Sequence, residues 1–292
     1  MYTVSIISNP DFTLLDDQII SRVLKAFDNI NDLKWLMPKV AVEFEIPECP
    51  KNIKKIWLDL QGLKIDLVIQ NSIGRKRKVL LADMDSTIIH QECIDELALE
   101  YGVGQEVSEI TKRSMNGEIT FESSLRERVK LLKGMKIDLI EKVLKEKITY
   151  MAGAEVLIKT MKYNGCYTAL VSGGFTAFSK AVSDKLGFDE SIANILLENN
   201  GILNGFVQEP ILGESSKVDV LKAISSKLGI DFQDFIAVGD GANDIGMLEL
   251  AGLGVALHAK KIVQEATNIK INFGDLTSLL FLQGYTESEF CW

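Results

Sequence analysis

Cysteine and histidine are both scarce in this chain. Its four cysteines, Cys49, Cys93, Cys166 and Cys291, include no Cys-x-x-Cys pair, and only two histidines exist, His90 and His258. That pattern argues against a disulfide framework or a zinc site, and it leaves histidine-based catalysis few candidates. Positive charge is also in deficit: 32 basic residues face 41 acidic ones, a formal charge of −9. A general nucleic-acid or anionic-membrane surface is therefore not expected, although a local cluster or a bound metal can still admit an anionic substrate. The N-terminus lacks a basic region leading into an apolar segment and a small-residue cleavage site. The longest uncharged stretch, Tyr163 to Ser179, is interrupted by Asn164, Gly165 and Ser172-Gly-Gly174, so no membrane span is expected. Reduced thiols and the missing targeting signal point to the cytoplasm.

What is present is an ordinary folded composition, 47% hydrophobic and 25% charged over 292 residues, enough for two lobes with at least one sizeable core. Residues 1–75 read as a small α/β lobe, with strands at Tyr2–Ile7, Val40–Ile46 and Ile65–Ile69 and a helix over Leu14–Phe27. No catalytic constellation lies there. A scaffold or dimerisation lobe is favoured over a regulatory one, and this leaves open a homodimer through it. The basic run Gly74-Arg-Lys-Arg-Lys78 reads as an exposed linker.

From residue 76 onward, strand and helix patterns alternate as in a doubly wound α/β core with a mainly parallel sheet. Val79-Leu-Leu-Ala82 has no polar alternation, so it reads as a strand buried on both faces, ending in Asp83-Met-Asp85. Tyr167–Val171 and Phe235–Val238 read likewise, ending in Ser172-Gly-Gly174 and Gly239-Asp-Gly-Ala-Asn-Asp244. Lys217 opens the helix before the last strand. A hairpin is expected over Asn194–Val207 around Asn200-Gly201. Between the first two strands, helical patterning over about 92–150 suggests a cap inserted above the sheet, with Glu92 in the first turn of its first helix. At about 100° per residue, Phe121, Leu125, Val129 and Leu132 share one stripe, Arg126 and Lys130 lie opposite, and Arg128 sits at the stripe's edge. An arginine turned inward there needs an anion or a wet cavity; an arginine lying along the rim with its head in water is the alternative.

Each strand-end loop alone is an ordinary turn. Together at one end of one sheet they supply two carboxylates, a hydroxyl, free backbone amides and a fixed ammonium, the inventory of phosphoryl transfer.

The order Asp-x-Asp-x-Thr, strand-end serine, helix lysine and Gly-Asp-Gly-x-Asn-Asp resembles the four motifs of the haloacid dehalogenase superfamily, over roughly residues 76–285. The longer run Asp83-Met-Asp-Ser-Thr-Ile-Ile-His-Gln-Glu-Cys-Ile-Asp-Glu96 is similar to the members that hydrolyse O-phosphoserine, the last step of serine biosynthesis. The resemblance implies that Asp83 is the nucleophile and Asp85 the general acid. It implies Mg²⁺ held by Asp83, the backbone carbonyl of Asp85, Asp240 and Asp244. It further implies that Ser172, the Gly173 amide and Lys217 bind the phosphoryl group and that Asn243 orients it. Arg128 would take the substrate carboxylate, Glu92 the ammonium, and Phe121 would close over both.

Rival readings are a phosphatase or phosphotransferase for another small phosphorylated metabolite, a receiver module phosphorylated on Asp83, and a non-catalytic metal-binding protein. The receiver needs neither the second aspartate nor the cap, and the structural protein gives Ser172 and Lys217 no task. A dehalogenase would need neither the metal nor Asp85.

Overall fold

The computed structural model describes residues 1–115, 118–213 and 215–292. The chain begins with β1 (Tyr2–Ser8), α1 (Asp17–Leu24), β2 (Asn31–Met37), β3 (Ala41–Ile46), α2 (Ile53–Gln61) and β4 (Ile65–Asn71). These strands form an antiparallel sheet in the order β2-β3-β1-β4, a βαββαβ arrangement of ferredoxin type. The helix expected over Leu14–Phe27 is shorter, because Asp16 caps it: its carboxylate accepts the N–H of Ile19 at 2.8 Å. One face of the sheet packs on α1 and α2 through Val4, Ile6, Phe44 and Leu67. The other contributes Ile7, Leu36, Val40, Ala41 and Val68 to the main core.

β5 (Val79–Ala82) opens the larger sheet. The helices α3 (Cys93–Tyr101), α4 (Gly104–Met115), α5 (Phe121–Leu131) and α6 (Asp138–Glu146) follow it as the cap. The chain then returns through α7 (Ala154–Tyr163), β6 (Tyr167–Phe175), α8 (Thr176–Leu186) and β7 (Glu190–Asn194). A hairpin of β8 (Leu196–Asn199) and β9 (Ile202–Val207) turns on Asn200-Gly201, both at positive φ. Asn194, expected in that hairpin, ends β7 instead and pairs with Phe175 of β6. The remainder is α9 (Ser216–Leu228), β10 (Phe235–Gly239), α10 (Ile245–Leu250), β11 (Leu253–Leu257), α11 (Lys261–Ala266), β12 (Ile269–Ile271) and α12 (Ser278–Leu282). Among the described residues no helix is long and apolar enough to cross a membrane.

The six-stranded sheet is parallel throughout, in the order β12-β11-β10-β5-β6-β7. β5 is buried on both faces: Leu80 and Ala82 belong to one core cluster, Val79 and Leu81 to the other. The chain leaves β5 for β6 and β7 on one side, then crosses back to β10 on the other. The order therefore reverses between β5 and β10, the place where doubly wound sheets bind ligands.

The basic run before β5 is a clasp rather than the expected exposed linker. Arg75 pairs with Glu43 at 2.6 Å and donates to the carbonyls of Leu282 and Phe281 at 3.0 and 3.1 Å. Lys76 stands over the Tyr285 ring, Arg77 donates to the carbonyls of Gln233 and Gly252, and Lys78 pairs with Asp234 at 2.8 Å. Together they tie the N-terminal sheet, β10 and the C-terminal helix to one another.

Candidate active site

The strand-end geometry separates the two neighbouring aspartates. β5 stops at Ala82, and in the turn that follows the Asp83 and Asp85 carboxylates take different partners. Asp83 faces Lys217, whose Nζ lies 2.6 Å from one carboxylate oxygen. The same ammonium reaches Asp244 at 2.5 Å, so α9 delivers one buried cation between two buried carboxylates. Asp244 also accepts the N–H groups of Asp240 and Gly241 at 3.1 and 2.9 Å. Gly239 permits this fold-back, since a Cβ there would occupy the space of the Asp244 carboxyl group. Asp240 accepts the Thr87 hydroxyl at 3.0 Å and has Lys260 at 3.7 Å.

Asp83, Asp240 and Asp244 each bring a carboxylate oxygen within 4.8 Å of the others, all from buried residues. Burial, then the Asp244 charge, pushes Asp83 well above the usual carboxylate range, with Lys217 opposing. Burial pushes Asp240 up to about 6; Lys260 opposes that shift, and Asp244 and Glu92 add to it. Burial works against the Lys217 charge, but Asp244 and Asp83 outweigh it and raise its pKa. Three clustered carboxylates, two of them on the one buried ammonium and the third beside the half-exposed Lys260, form an oxygen-only pocket short of positive charge, which fits a hard divalent cation.

Asp85 turns the other way. Its carboxylate accepts the Cys93 N–H at 3.0 Å and the Ser172 hydroxyl at 3.2 Å. Burial, then the Glu92 charge, pushes it up to about 6, against the hydrogen bonds from Cys93 and Ser172. Its carboxylate is outside the three-aspartate cluster. Ser172 accepts the Gly174 N–H at 2.8 Å, and a Cβ on Gly174 would stand 2.7 Å from Asp85 Oδ2. Glycine is needed there for close approach rather than for an unusual φ.

The cap reaches down onto this loop. Phe121 begins α5, whose N-cap Thr120 accepts the Ser123 N–H at 3.2 Å. The Phe121 ring edge lies 3.0 Å from where a Gly173 Cβ would be. Leu125, Val129 and Leu132 are buried as the helical projection requires, and Arg126 is on the wet side, paired with Glu209 at 2.8 Å. Arg128 faces inward toward acidic residues: burial lowers its pKa, while Asp95, Glu92 and Asp85 oppose the shift. Glu92 is the N-cap residue of α3 rather than part of its first turn, and it accepts the Ser86 hydroxyl at 3.0 Å. Asn243 lies in a short 3-10 turn against Gly241.

The structure thus gathers Asp83, Asp85, Ser172, Lys217, Asp240 and Asp244 at the sheet's carboxyl end, with Gly173, Phe121, Arg128 and Glu92 around it. Sequence reasoning passed over several supporting residues. Asn194 donates to the Gly173 carbonyl at 2.9 Å and accepts the Leu212 N–H at 2.8 Å, which fixes the serine loop. Thr87, Ser86 and Cys93 lie inside the first motif, and their hydroxyl and amide groups carried no separate signal.

The haloacid dehalogenase-like hydrolase model matches residues 80–249, more than half of the chain. A phosphoserine phosphatase from Methanocaldococcus jannaschii is 45% identical over 70% of this chain and 97% of its own length. One from Streptomyces coelicolor is 34% identical over 98% of this chain and 71% of its own length. Among solved structures, a substrate-bound phosphoserine phosphatase complex aligns with 45% identity over 70% of this chain and 98% of that one, with a TM-score of 0.66. A haloacid dehalogenase-family hydrolase from Salmonella enterica serovar Typhi aligns over 97% of this chain and 98% of its own, at 27% identity and a TM-score of 0.87. With the site, the sheet order and these likenesses in agreement, the chain belongs to the haloacid dehalogenase-like hydrolase family.

Proposed function

We propose that this protein hydrolyses O-phospho-L-serine to L-serine and phosphate, the last step of serine biosynthesis, in the cytoplasm. The observation that carries the chemistry is the divergence of the two aspartates. Asp83 is held against Lys217, while Asp85 is held against Ser172 and the Cys93 amide with its pKa pushed up to about 6. In this reading an Asp83 oxygen attacks phosphorus and the bond to the serine oxygen breaks. Asp85 hands its proton to that oxygen. Water then attacks the aspartyl-phosphate, Asp85 takes the proton back, and phosphate leaves with Asp83 restored. Lys217, Ser172 and the Gly173 amide hold the phosphoryl oxygens throughout, and Asn243 orients them.

Mg²⁺ is the proposed ion, held by Asp83, Asp240 and the Asp85 carbonyl with Asp244 behind them. When bound it supplies charge neutralisation between the nucleophile and the phosphoryl oxygens. In the cap, Arg128 is assigned the substrate carboxylate, Glu92 the ammonium, and Phe121 the closure over Gly173. The inward setting of Arg128 among acidic residues supports this. Residues 1–75 are assigned to a scaffold lobe and 76–292 to the phosphatase core, with the cap at about 92–150. A homodimer through the lobe is proposed on the exposed Leu33 and Trp35 of its edge strand β2, which sedimentation would test.

The deciding experiment is phosphate release from a panel of phosphomonoesters with Mg²⁺ or chelator, for the wild type and Asp83→Asn. A preference for phosphoserine that vanishes in both controls is expected. A flat profile would transfer the protein to another phosphorylated metabolite while leaving the chemistry in place. Arg128→Ala should raise KM for phosphoserine by a factor corresponding to about 2–4 kcal/mol; unchanged kinetics would reject that assignment.

A further inference from the structure

The turn joining β5 to α3 is cross-tied twice, and the ties are reciprocal. The residue after Asp85 is Ser86, whose hydroxyl donates to Glu92 at 3.0 Å. The residue after Glu92 is Cys93, whose N–H donates to Asp85 at 3.0 Å. Each functional carboxylate is therefore held by the neighbour of the other. Ser86 reaches Glu92 from a left-handed backbone, φ 55°, which is unfavourable for a non-glycine residue and persists only where the surroundings enforce it. The loop is fixed from outside as well. Its amides at Ile88 and Ile89 return to the Met84 carbonyl at 2.9 and 3.0 Å, and His90 donates to the Thr149 carbonyl at 3.0 Å. The Cys93 amide is free to serve Asp85 because it belongs to the first turn of α3, whose N–H groups have no partner within the helix.

We infer that this turn is a reciprocal clasp that sets the general acid and the ammonium-reading carboxylate at a fixed spacing, with the Ser86 hydroxyl and the Cys93 amide as its positioning groups. The inference rests on the phosphoserine reading of Glu92 and Asp85. The spacing matters because the substrate's ammonium and its leaving oxygen are separated by two carbons. One rigid turn that presents both carboxylates matches that separation without relying on cap closure. Ser86 thereby acts on substrate discrimination, and the Cys93 amide acts on protonation of the leaving group.

Two pairs of variants test this, with kcat/KM as the readout because it reports the steps up to the first phosphoryl transfer. Ser86→Ala and Ser86→Gly should each lower the preference for phosphoserine over its desamino analogue, phosphonooxypropanoate, about tenfold, the loss of one hydrogen bond to a charged group. The glycine variant relieves the backbone; a wild-type preference in it would show that the hydroxyl does nothing and would overturn the clasp. Cys93→Pro removes the amide donor, and with it the thiol that also faces Asp85, in a place helices accept proline, after a residue already extended at ψ 109°; Cys93→Ala, which removes the thiol alone, is the control against which it is read. Cys93→Pro should lower kcat/KM about tenfold or more on alkyl phosphates but little on para-nitrophenyl phosphate, whose leaving group needs no proton. Equal losses on both esters would mean a merely structural role. Should the wild type show no preference for phosphoserine, the substrate reading fails by itself, and the leaving-group arm, run on phosphonooxypropanoate, still decides the clasp.

Discussion

Two sets of buried acidic residues in this molecule are treated in opposite ways. At the seam between the lobe and the core, Asp66 is fully buried and accepts the N–H groups of Asn272, Phe273 and Gly274 at 2.8, 2.9 and 2.8 Å. Glu43, also buried, is paired with Arg75 at 2.6 Å and Lys34 at 2.8 Å. At the sheet's carboxyl end, Asp83, Asp240 and Asp244 cluster around one buried ammonium, which touches Asp83 and Asp244, while Asp240 has only the half-exposed Lys260 at 3.7 Å. Only one of the two ammonium groups beside these three carboxylates is buried with them, so the cluster is short of positive charge. A buried carboxylate whose partners all come from the chain holds structure together; a cluster left short of positive charge marks where something else must bind.

The sharpest way to break that contrast is to neutralise one member on each side. Asp83→Asn should lower phosphate release at least about 10³-fold while the metal-free protein stays folded, because a repelling charge has gone. Retention of a tenth of the activity would remove Asp83 from the reaction. Lys217→Met leaves Asp83 and Asp244 buried together without their cation and should cost about 3–5 kcal/mol in urea unfolding. A stability equal to wild type would mean the cluster is already neutral.

The pH dependence follows from Asp240. Its pKa in the fold, about 6, exceeds the ordinary value of 3.8, so the folded state holds the extra proton between those values. Asp240's share of the metal-free protein's stability should therefore fall by up to about 3 kcal/mol as pH rises from about 4 to about 6, and a saturating divalent cation should remove that share, leaving the loss of the same sign from Asp85, which is also pushed up to about 6. Calorimetry across that window, with and without Mg²⁺, checks both statements; a metal-free protein that gains stability from this group would reverse the sign. The smallest effect belongs to the seam. Asp66→Asn, whose amide cannot accept its three donors equally well, should cost about 2–3 kcal/mol while leaving kcat/KM per folded molecule unchanged. A drop in kcat/KM would show that the two regions are coupled.

Legibility in the sequence was uneven for physical reasons. β5 and its aspartates were readable because a strand buried on both faces is written as an unbroken apolar run, and the run stops where the buried polar site begins. Arg128 was readable because α5 keeps one apolar stripe and the arginine sits on its edge. β2 was not, since Asn31-Asp-Leu-Lys-Trp35 is exposed on a sheet edge and its alternation, only four residues long, marks no buried face. α2 was obscured by its lysines, and Asn194 resembled hairpin sequence because only its distant partners, Gly173 and Leu212, reveal its task. The basic run at 74–78 looked solvated because its acceptors are carbonyls and acids up to some two hundred residues away.

By itself the sequence determined the chemical inventory and its order along the chain: which strands are buried, which loops end them, and which hydroxyl, ammonium and carboxylate groups those loops carry. These are local properties, set by side-chain pattern and chain stiffness. Only the tertiary structure decided how the charges are shared, because that depends on which strands become neighbours. The crossover that places β10 beside β5 brings Asp240 and Asp244 to Asp83, with Lys217 buried between Asp83 and Asp244 and Lys260 at the edge beside Asp240.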